Sequence, residues 1–313
     1  MLKGCIFLEI KEIDYKNFGK CVLLTNGIIS VVVTIDFGPR VIQFGFCDKE
    51  NLFYQDAERT CKIETDGGVN SEQTFYYYGG HRLWLSTERP AKAVLPDNAP
   101  VVYSILPESV RFSAPRQKGA NFQTGFEIFM GEDTSDIMVV HTAKNTAKEA
   151  QPCGLWPITM LNGEGVVILP QNSDTSDHCR PNRAVVLWPG TEIHDERLFI
   201  GNRFLTIRKS SEDQVPLKIG CNNILGWAAF VAPHYTFIKR YVHDVQAVYP
   251  DFGSSCEVDC QKDFVEIQSM SPMYRVEPGQ EIKHVENLSL YQTNSCVNPN
   301  NEEDIQRYIS NLK

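Results

Sequence analysis

The chain has no excess of positive charge, no long apolar run and almost no helical periodicity, and each lack removes a class of protein. Lys and Arg number 30 against 39 Asp and Glu, giving a net charge of −9 at pH 7 without any long basic run. A phosphate backbone is repelled on balance, so no nucleic-acid partner is expected. Nowhere do ~18 uncharged apolar residues occur together, and Met1 to Lys11 alternates apolar with charged residues. Neither a membrane span nor a signal peptide is therefore expected. The ten cysteines are scattered, with no CxxC pair and no second ligand pair beside Cys256 and Cys260 or His178-Cys179. Free thiols in a reducing cytoplasm are the expectation. A phosphate-cradling Gly-rich loop and a nucleophile elbow are missing, and His234 and His243-Asp244 lack the spacing of metal ligands. No metal or other cofactor is expected.

What is present is strand signal from end to end. Hydrophobic residues make up 42% and charged residues 22%, near a globular average, so the chain can bury a sizeable core. Short β-branched and aromatic runs bounded by Gly, Asn, Asp and Pro point to antiparallel sheets rather than βαβ units. Val22 to Thr34 reads as a hairpin closed by Asn26-Gly27, because Asn-Gly supplies the positive φ of a tight turn. Further strands are expected at 41–44, 101–106, 122–130, 136–141, 165–169, 204–208, 224–232, 264–269 and 282–291. A helix is expected only after Asn301, an N-cap followed by Glu302, Glu303 and Asp304, with Ile305, Tyr308, Ile309 and Leu312 at helical spacing. The expectation is an all-β chain of one domain over 1–313, its core at about 15–292 and a short terminal helix at about 301–313.

Two stretches concentrate chemistry. Tyr76-Tyr77-Tyr78-Gly79-Gly80-His81-Arg82-Leu83-Trp84 is followed by Glu88 and then by Pro96-Asp97-Asn98. Sugars are bound by such mixtures, since their C–H faces stack on rings while their hydroxyls need directional polar partners. A hairpin whose aromatics fill the core explains the same composition. In Phe264-Val265-Glu266-Ile267-Gln268, Glu266 projects to the sheet face opposite Val265 and Ile267. In a pocket its pKa would rise and suit proton transfer; in the open it is a solvated strand carboxylate.

The Gly79-Gly80-His81 turn, the strand at 264–268 and the closing Glu277-Pro278-Gly279-Gln280 resemble the galactose mutarotase-like superfamily, which includes the aldose 1-epimerases. Over about residues 15–292 the chain is similar to one branch of it. That branch's features stand here as Gly79-Gly80-His81-Arg82-Leu83-Trp84, Glu88, Pro96-Asp97-Asn98, Leu155-Trp156-Pro157-Ile158-Thr159, Asn182-Arg183, Leu187-Trp188-Pro189, Asp195-Glu196-Arg197, Lys218-Ile219-Gly220, Gly226-Trp227 and Tyr249-Pro250-Asp251. The resemblance implies a β-supersandwich of two large antiparallel sheets with one concave face lined by sugar-binding side chains. It also implies Glu266 as the general base that takes the anomeric proton while an acid, usually His, protonates the ring oxygen. The matching acid segment, Gly154 to Met160, contains no His. Loss of a proton donor costs ~10²–10⁴ in rate unless another group replaces it.

Of the candidate donors His81, Arg82 and Lys218, His81 has the most suitable ordinary pKa. Arg40, Arg183 and Asp251 are further candidates for the pocket, with structural salt bridges the competing reading for Arg40, Arg183 and Lys218. Trp156 and Trp227 serve either as stacking platforms or as core. The expectation is a carbohydrate-binding protein, with Glu266 and His81 catalytic if it is an aldose 1-epimerase-like isomerase. Its substrate-binding candidates are Arg40, Arg82, Trp84, Glu88, Asp97, Asn98, Trp156, Arg183, Lys218 and Asp251. The alternatives are a sugar-binding or sensing protein with a degenerate site, or an assembly subunit with a vestigial groove. The oligomeric state is left open.

Overall fold

The computed structural model describes residues 8–65, 73–86, 96–117 and 120–312. Among these residues the chain forms two large antiparallel sheets, of 11 and 10 strands, and one two-stranded ribbon. The first sheet runs from its Glu9–Asp14 edge through Lys20–Thr25, Ile29–Thr34, Val41–Phe46, His81–Ser86, Gln151–Leu161, Val265–Ser269, Cys256–Cys260 and Leu217–Cys221 to Val185–Leu187. Tyr274–Val276 pairs with the start of the long Gln151–Leu161 strand. The middle of the second sheet is Tyr235–Tyr241, Glu281–Gln292, Asp136–Asn145 and Phe122–Met130.

The expected hairpin forms as read. Lys20–Thr25 pairs with Ile29–Thr34, and Gly27 takes φ 80° in the turn. Asn26 is fully buried there, its Oδ1 accepting from the amides of Ile28 and Ile29 and its Nδ2 donating to the carbonyls of Gly131 and Thr134 in the loop between two strands of the second sheet. The turn thus fixes a register and ties the sheets together. In Glu281–Gln292 the alternation is visible in the burial: Ile282, His284, Glu286 and Leu288 are buried, while Lys283, Val285 and Asn287 are exposed.

Between the sheets lies one extended apolar core in which Val31, Val33, Phe44, Phe53, Phe112, Phe126, Val167, Phe230, Phe237, Val258, Ile267 and Leu288 meet. Burial at ~25 cal/mol per Å² makes this the principal driving force for folding. The terminal helix, Glu302–Ser310, begins at Asn301, whose side chain accepts from the amides of Glu303 and Asp304 at 3.1 Å each. Ile305 is buried against Ile168, Phe204 and Ile238, on the outer side of the second sheet.

Candidate functional site

Strand alternation decides what each side of the first sheet can do. Arg82 pairs with Ile158, Ile158 with Gln268, Met160 with Glu266, Asp259 with Glu266, Glu257 with Gln268, and Lys218 with Asp259. Paired residues share a face, and residues two apart on one strand do too. Arg82, Trp84, Trp156, Gln268, Glu266, Asp259, Glu257 and Lys218 therefore line the outer face, turned away from the second sheet.

Glu266 is 6% exposed, and Gln268 Nε2 donates to its Oε2 at 2.5 Å. Gln268 Oε1 in turn accepts from Trp156 Nε1 at 2.9 Å, so the carboxyl is held by a fixed amide behind which stands an indole. Burial pushes Glu266 from the ordinary 4.5 up to about 7; the Arg82 cation opposes this, and Asp259 reinforces it. A carboxyl poised there exchanges protons readily at neutral pH.

Arg82 is 2% exposed, and its guanidinium lies 3.7 Å from the centroid of the Trp84 ring and 4.8 Å from that of Phe75. Burial, followed by repulsion from Arg40, lowers its pKa to about 9, so the group stays charged at neutrality. Among the described residues Nε and Nη1 have no hydrogen-bond partner. Buried guanidinium N–H groups left open are costly, and they suit a ligand oxygen. Trp84 meets Trp156 edge to face at 5.5 Å. Lys218 Nζ lies 5.3 Å from the Trp156 ring and 4.6 Å from that of Trp188, and 2.9 Å from Glu257 Oε2. The face offers aromatic walls, two cations and three carboxyl groups.

Other expected site residues are elsewhere. His81 is the main correction: it neighbours Arg82 in sequence and so points to the opposite face, into the core. Its Nδ1 is 2.9 Å from Thr159 Oγ1 and its Nε2 3.0 Å from His141 Nε2, a residue of the second sheet. Burial lowers its pKa well below the usual histidine range, which holds it neutral. It does not share a face with Glu266. Arg40 and Asp97 are likewise engaged: Arg40 Nε and Nη2 donate to the two Asp97 oxygens at 2.7 and 2.8 Å, and the remaining donors reach the carbonyls of Tyr76, Tyr77 and Gly79. This pair fastens the aromatic segment and has no donor to spare for a ligand. Asn98 is a latch between Tyr78 and Thr74. Arg183 is exposed and donates to the Asn202 carbonyl at 2.9 Å. Asp251 reaches the site by acting on Glu257. Trp227 packs beside the terminal helix on the second sheet. Glu88 lies outside the described residues.

The interior around His81 has its own chemistry. His81 Nε2, His141 Nε2 and Glu286 Oε2 stand 3.0 to 3.4 Å apart, close enough to hold a metal ion. Lys239 Nζ, however, lies 2.9 Å from Glu286 Oε1 and already neutralises that carboxylate. A divalent cation would add uncompensated charge in a site with no exposure, so the cluster is better described as a hydrogen-bonded ion pair. Ser269 donates to Glu286 Oε1 at 2.7 Å and lies 2.8 Å from His284 Nε2. Burial favours a neutral Glu286, but Lys239 and His141 hold its pKa well below the usual carboxylate range.

Sequence reasoning assigned no role to Glu257, Asp259, Gln268 or Trp188. The signal for the two acids is the alternation Cys256-Glu257-Val258-Asp259-Cys260, which puts both carboxyls on one face beside Glu266.

No family model matches the sequence, and no curated protein does. Among solved structures the chain is similar to a TPR-domain containing protein from Parabacteroides distasonis at TM-score 0.59 and 13% identity, covering 89% of this chain and 48% of that one. It therefore spans about half the length of that protein. It is also similar to a candidate aldose 1-epimerase from Klebsiella pneumoniae at TM-score 0.57 and 10% identity, covering 97% and 87%. A galactose mutarotase-like protein from Lactobacillus casei aligns at TM-score 0.50 and 12% identity, covering 87% and 100%. Such identities speak to architecture, and with the two-sheet topology they establish the fold of this chain as the galactose mutarotase-like β-sandwich.

Proposed function

We propose that this protein binds a carbohydrate on the outer face of its first sheet and interconverts the anomers of a reducing sugar there, with Glu266 as general base. The observation that carries the reading is the Glu266 carboxyl itself. It is buried, oriented by Gln268 and poised at about pKa 7, beside the open N–H groups of Arg82 and the Trp84 and Trp156 rings. A sugar ring stacks on the indoles, its hydroxyls meet Arg82 and Gln268, and its anomeric hydroxyl gives a proton to Glu266. Arg82 also balances negative charge that develops on sugar oxygens as the ring opens.

A second reading has its own support: no histidine occupies Gly154 to Met160, and His81 is turned into the core. On that reading the face binds or senses sugar without turning it over. Thermal shift and anomer-exchange NMR over a panel of reducing sugars separate the two. The isomerase reading predicts exchange above buffer rates, abolished by Glu266→Gln. The sensing reading predicts a rise in melting temperature with sugar, nearly unchanged in Glu266→Gln, and exchange at buffer rates. A panel in which no sugar alters either observable defeats both.

A further inference from the structure

We propose that Glu257, on the strand beside Glu266, is the proton donor of this site, standing where the sequence offers no histidine; the proposal rests on the isomerase reading above. Glu257 pairs in register with Gln268, the residue that orients Glu266, so the two carboxyls occupy diagonal positions on neighbouring strands. Diagonal Cβ atoms are ~7 Å apart, and glutamate side chains reach far enough for one carboxyl to meet the ring oxygen and the other the anomeric oxygen of one sugar. Glu257 is fully buried, and the side chains within hydrogen-bonding reach of its carboxyl are those of Lys218 and Asp251. Lys218 Nζ is at ion-pair distance from Oε2, 2.9 Å. The Lys218 side chain keeps 18% exposure, so displacing this flexible ammonium opens a path to the carboxyl.

The step balances without any further reagent. Glu266 takes the proton of the anomeric hydroxyl and Glu257 gives its proton to the ring oxygen. The bond from the anomeric carbon to the ring oxygen breaks as the carbonyl forms. After rotation about the adjacent carbon–carbon bond, the ring hydroxyl attacks the other face, returning its proton to Glu257 while Glu266 reprotonates the new anomeric oxygen.

The surroundings of Glu257 favour the acid form. Burial is the largest cause; Asp251, on the turn after Tyr249, adds to it, and Lys218 on the next strand opposes it, leaving Glu257 at about 8 against the ordinary 4.5. Glu266 on the neighbouring strand, Asp259 on its own strand and Arg82 on His81–Ser86 complete the charged groups of this face. Asp259 is the weaker candidate although it stands directly opposite Glu266, because its Oδ1 already accepts from Gln261 Nε2 at 2.6 Å.

The test is the pH dependence of kcat/KM for anomer exchange in wild type, Glu257→Gln, Glu257→Asp, Asp259→Asn and Lys218→Met, with sugar-induced thermal shift measured alongside. Wild type should give a bell with limbs near 7 and 8. Glu257→Gln should lose the basic limb and ~10²–10⁴ in rate while still binding sugar. Glu257→Asp, which keeps an acid but retracts it, should keep the basic limb at reduced rate; this variant carries the test if the glutamine form fails to fold. Asp259→Asn should retain the basic limb while the acidic limb moves downward, because Asp259 raises Glu266, and Lys218→Met should move the basic limb upward whatever it does to sugar binding. Full rate in Glu257→Gln, loss of the basic limb in Asp259→Asn instead, or a basic limb unmoved by Lys218→Met overturns the assignment and leaves the isomerase reading standing. Sugar binding with no exchange in wild type overturns both and leaves only the sensing reading.

Discussion

Lys239 and Glu286 face each other across 2.9 Å with no exposure, and each has further partners: Lys239 donates to the Ile267 carbonyl at 3.0 Å, Glu286 accepts from Ser269. Removing one partner strands the other charge in the core. Lys239→Met should cost about 3–5 kcal/mol, read as a lower urea midpoint, and Lys239→Met with Glu286→Gln should recover part of it. If Lys239→Met leaves the midpoint unchanged, the ion pair is not what holds this cluster. Glu266 makes the opposite kind of prediction. Folding raises its pKa from 4.5 to about 7, so its proton-linked stabilisation is complete below 4.5 and is lost as pH rises through about 7. Glu266→Gln should match wild type near pH 4.5 and exceed it by about 3 kcal/mol above pH 8, on the order of 5 °C in Tm. A constant difference between pH 4.5 and 9 would contradict that placement. These residues were legible to different degrees. Val-Glu-Ile alternation puts Glu266 opposite two core residues, and that expectation of the strand holds. His81 and Arg82 share one segment, and the composition of that segment does not say which of the two neighbours faces the core. The partner that settles it, His141, is 60 residues away in sequence.

At the scale of elements, the regular strands were readable and the irregular ones were not. Phe122–Met130 occupies its expected span, because Phe122, Phe126, Ile128 and Met130 fall at even spacing between Asn121 and Gly131. Gln151–Leu161, the strand beside both Arg82 and Glu266, contains Pro152 and Pro157, which withhold ladder donors and mask it as a strand. Tertiary packing overrides that local cost. The Tyr249–Gly253 turn is a second such element: Asp251 and Phe252 both take left-handed φ, 47° and 57°, and Phe252 is 94% exposed. Left-handed backbone at a non-glycine residue costs about 1–2 kcal/mol, and the ring gains nothing from burial in return. Phe252→Gly should therefore raise stability by about 1 kcal/mol in urea titration, and a loss of stability would show that the turn is not strained. At the other end, Asn301→Ala should cost about 1 kcal/mol, since two amide protons of the helix Glu302–Ser310 lose their acceptor.

At the scale of the molecule, two sheets enclose one apolar core, and the outer face of the first carries the charged and aromatic groups of the candidate site. The same strand, His81–Ser86, turns His81 inward to a neutral, ion-paired interior and Arg82 and Trp84 outward beside Glu266. The fold was legible because strand punctuation and motif order agree over most of the chain. The proton donor was not, because Glu257 joins Glu266 only through a register between strands. The central claim is that a sugar sits on this outer face with its anomeric oxygen at Glu266. The most direct measurement is a crystal structure of the protein soaked with the reducing sugar that gives the largest thermal shift. The account predicts the sugar ring against Trp84 and Trp156, with the anomeric oxygen within hydrogen-bond distance of Glu266. A sugar seated elsewhere, or an empty face at saturating concentration, would contradict it.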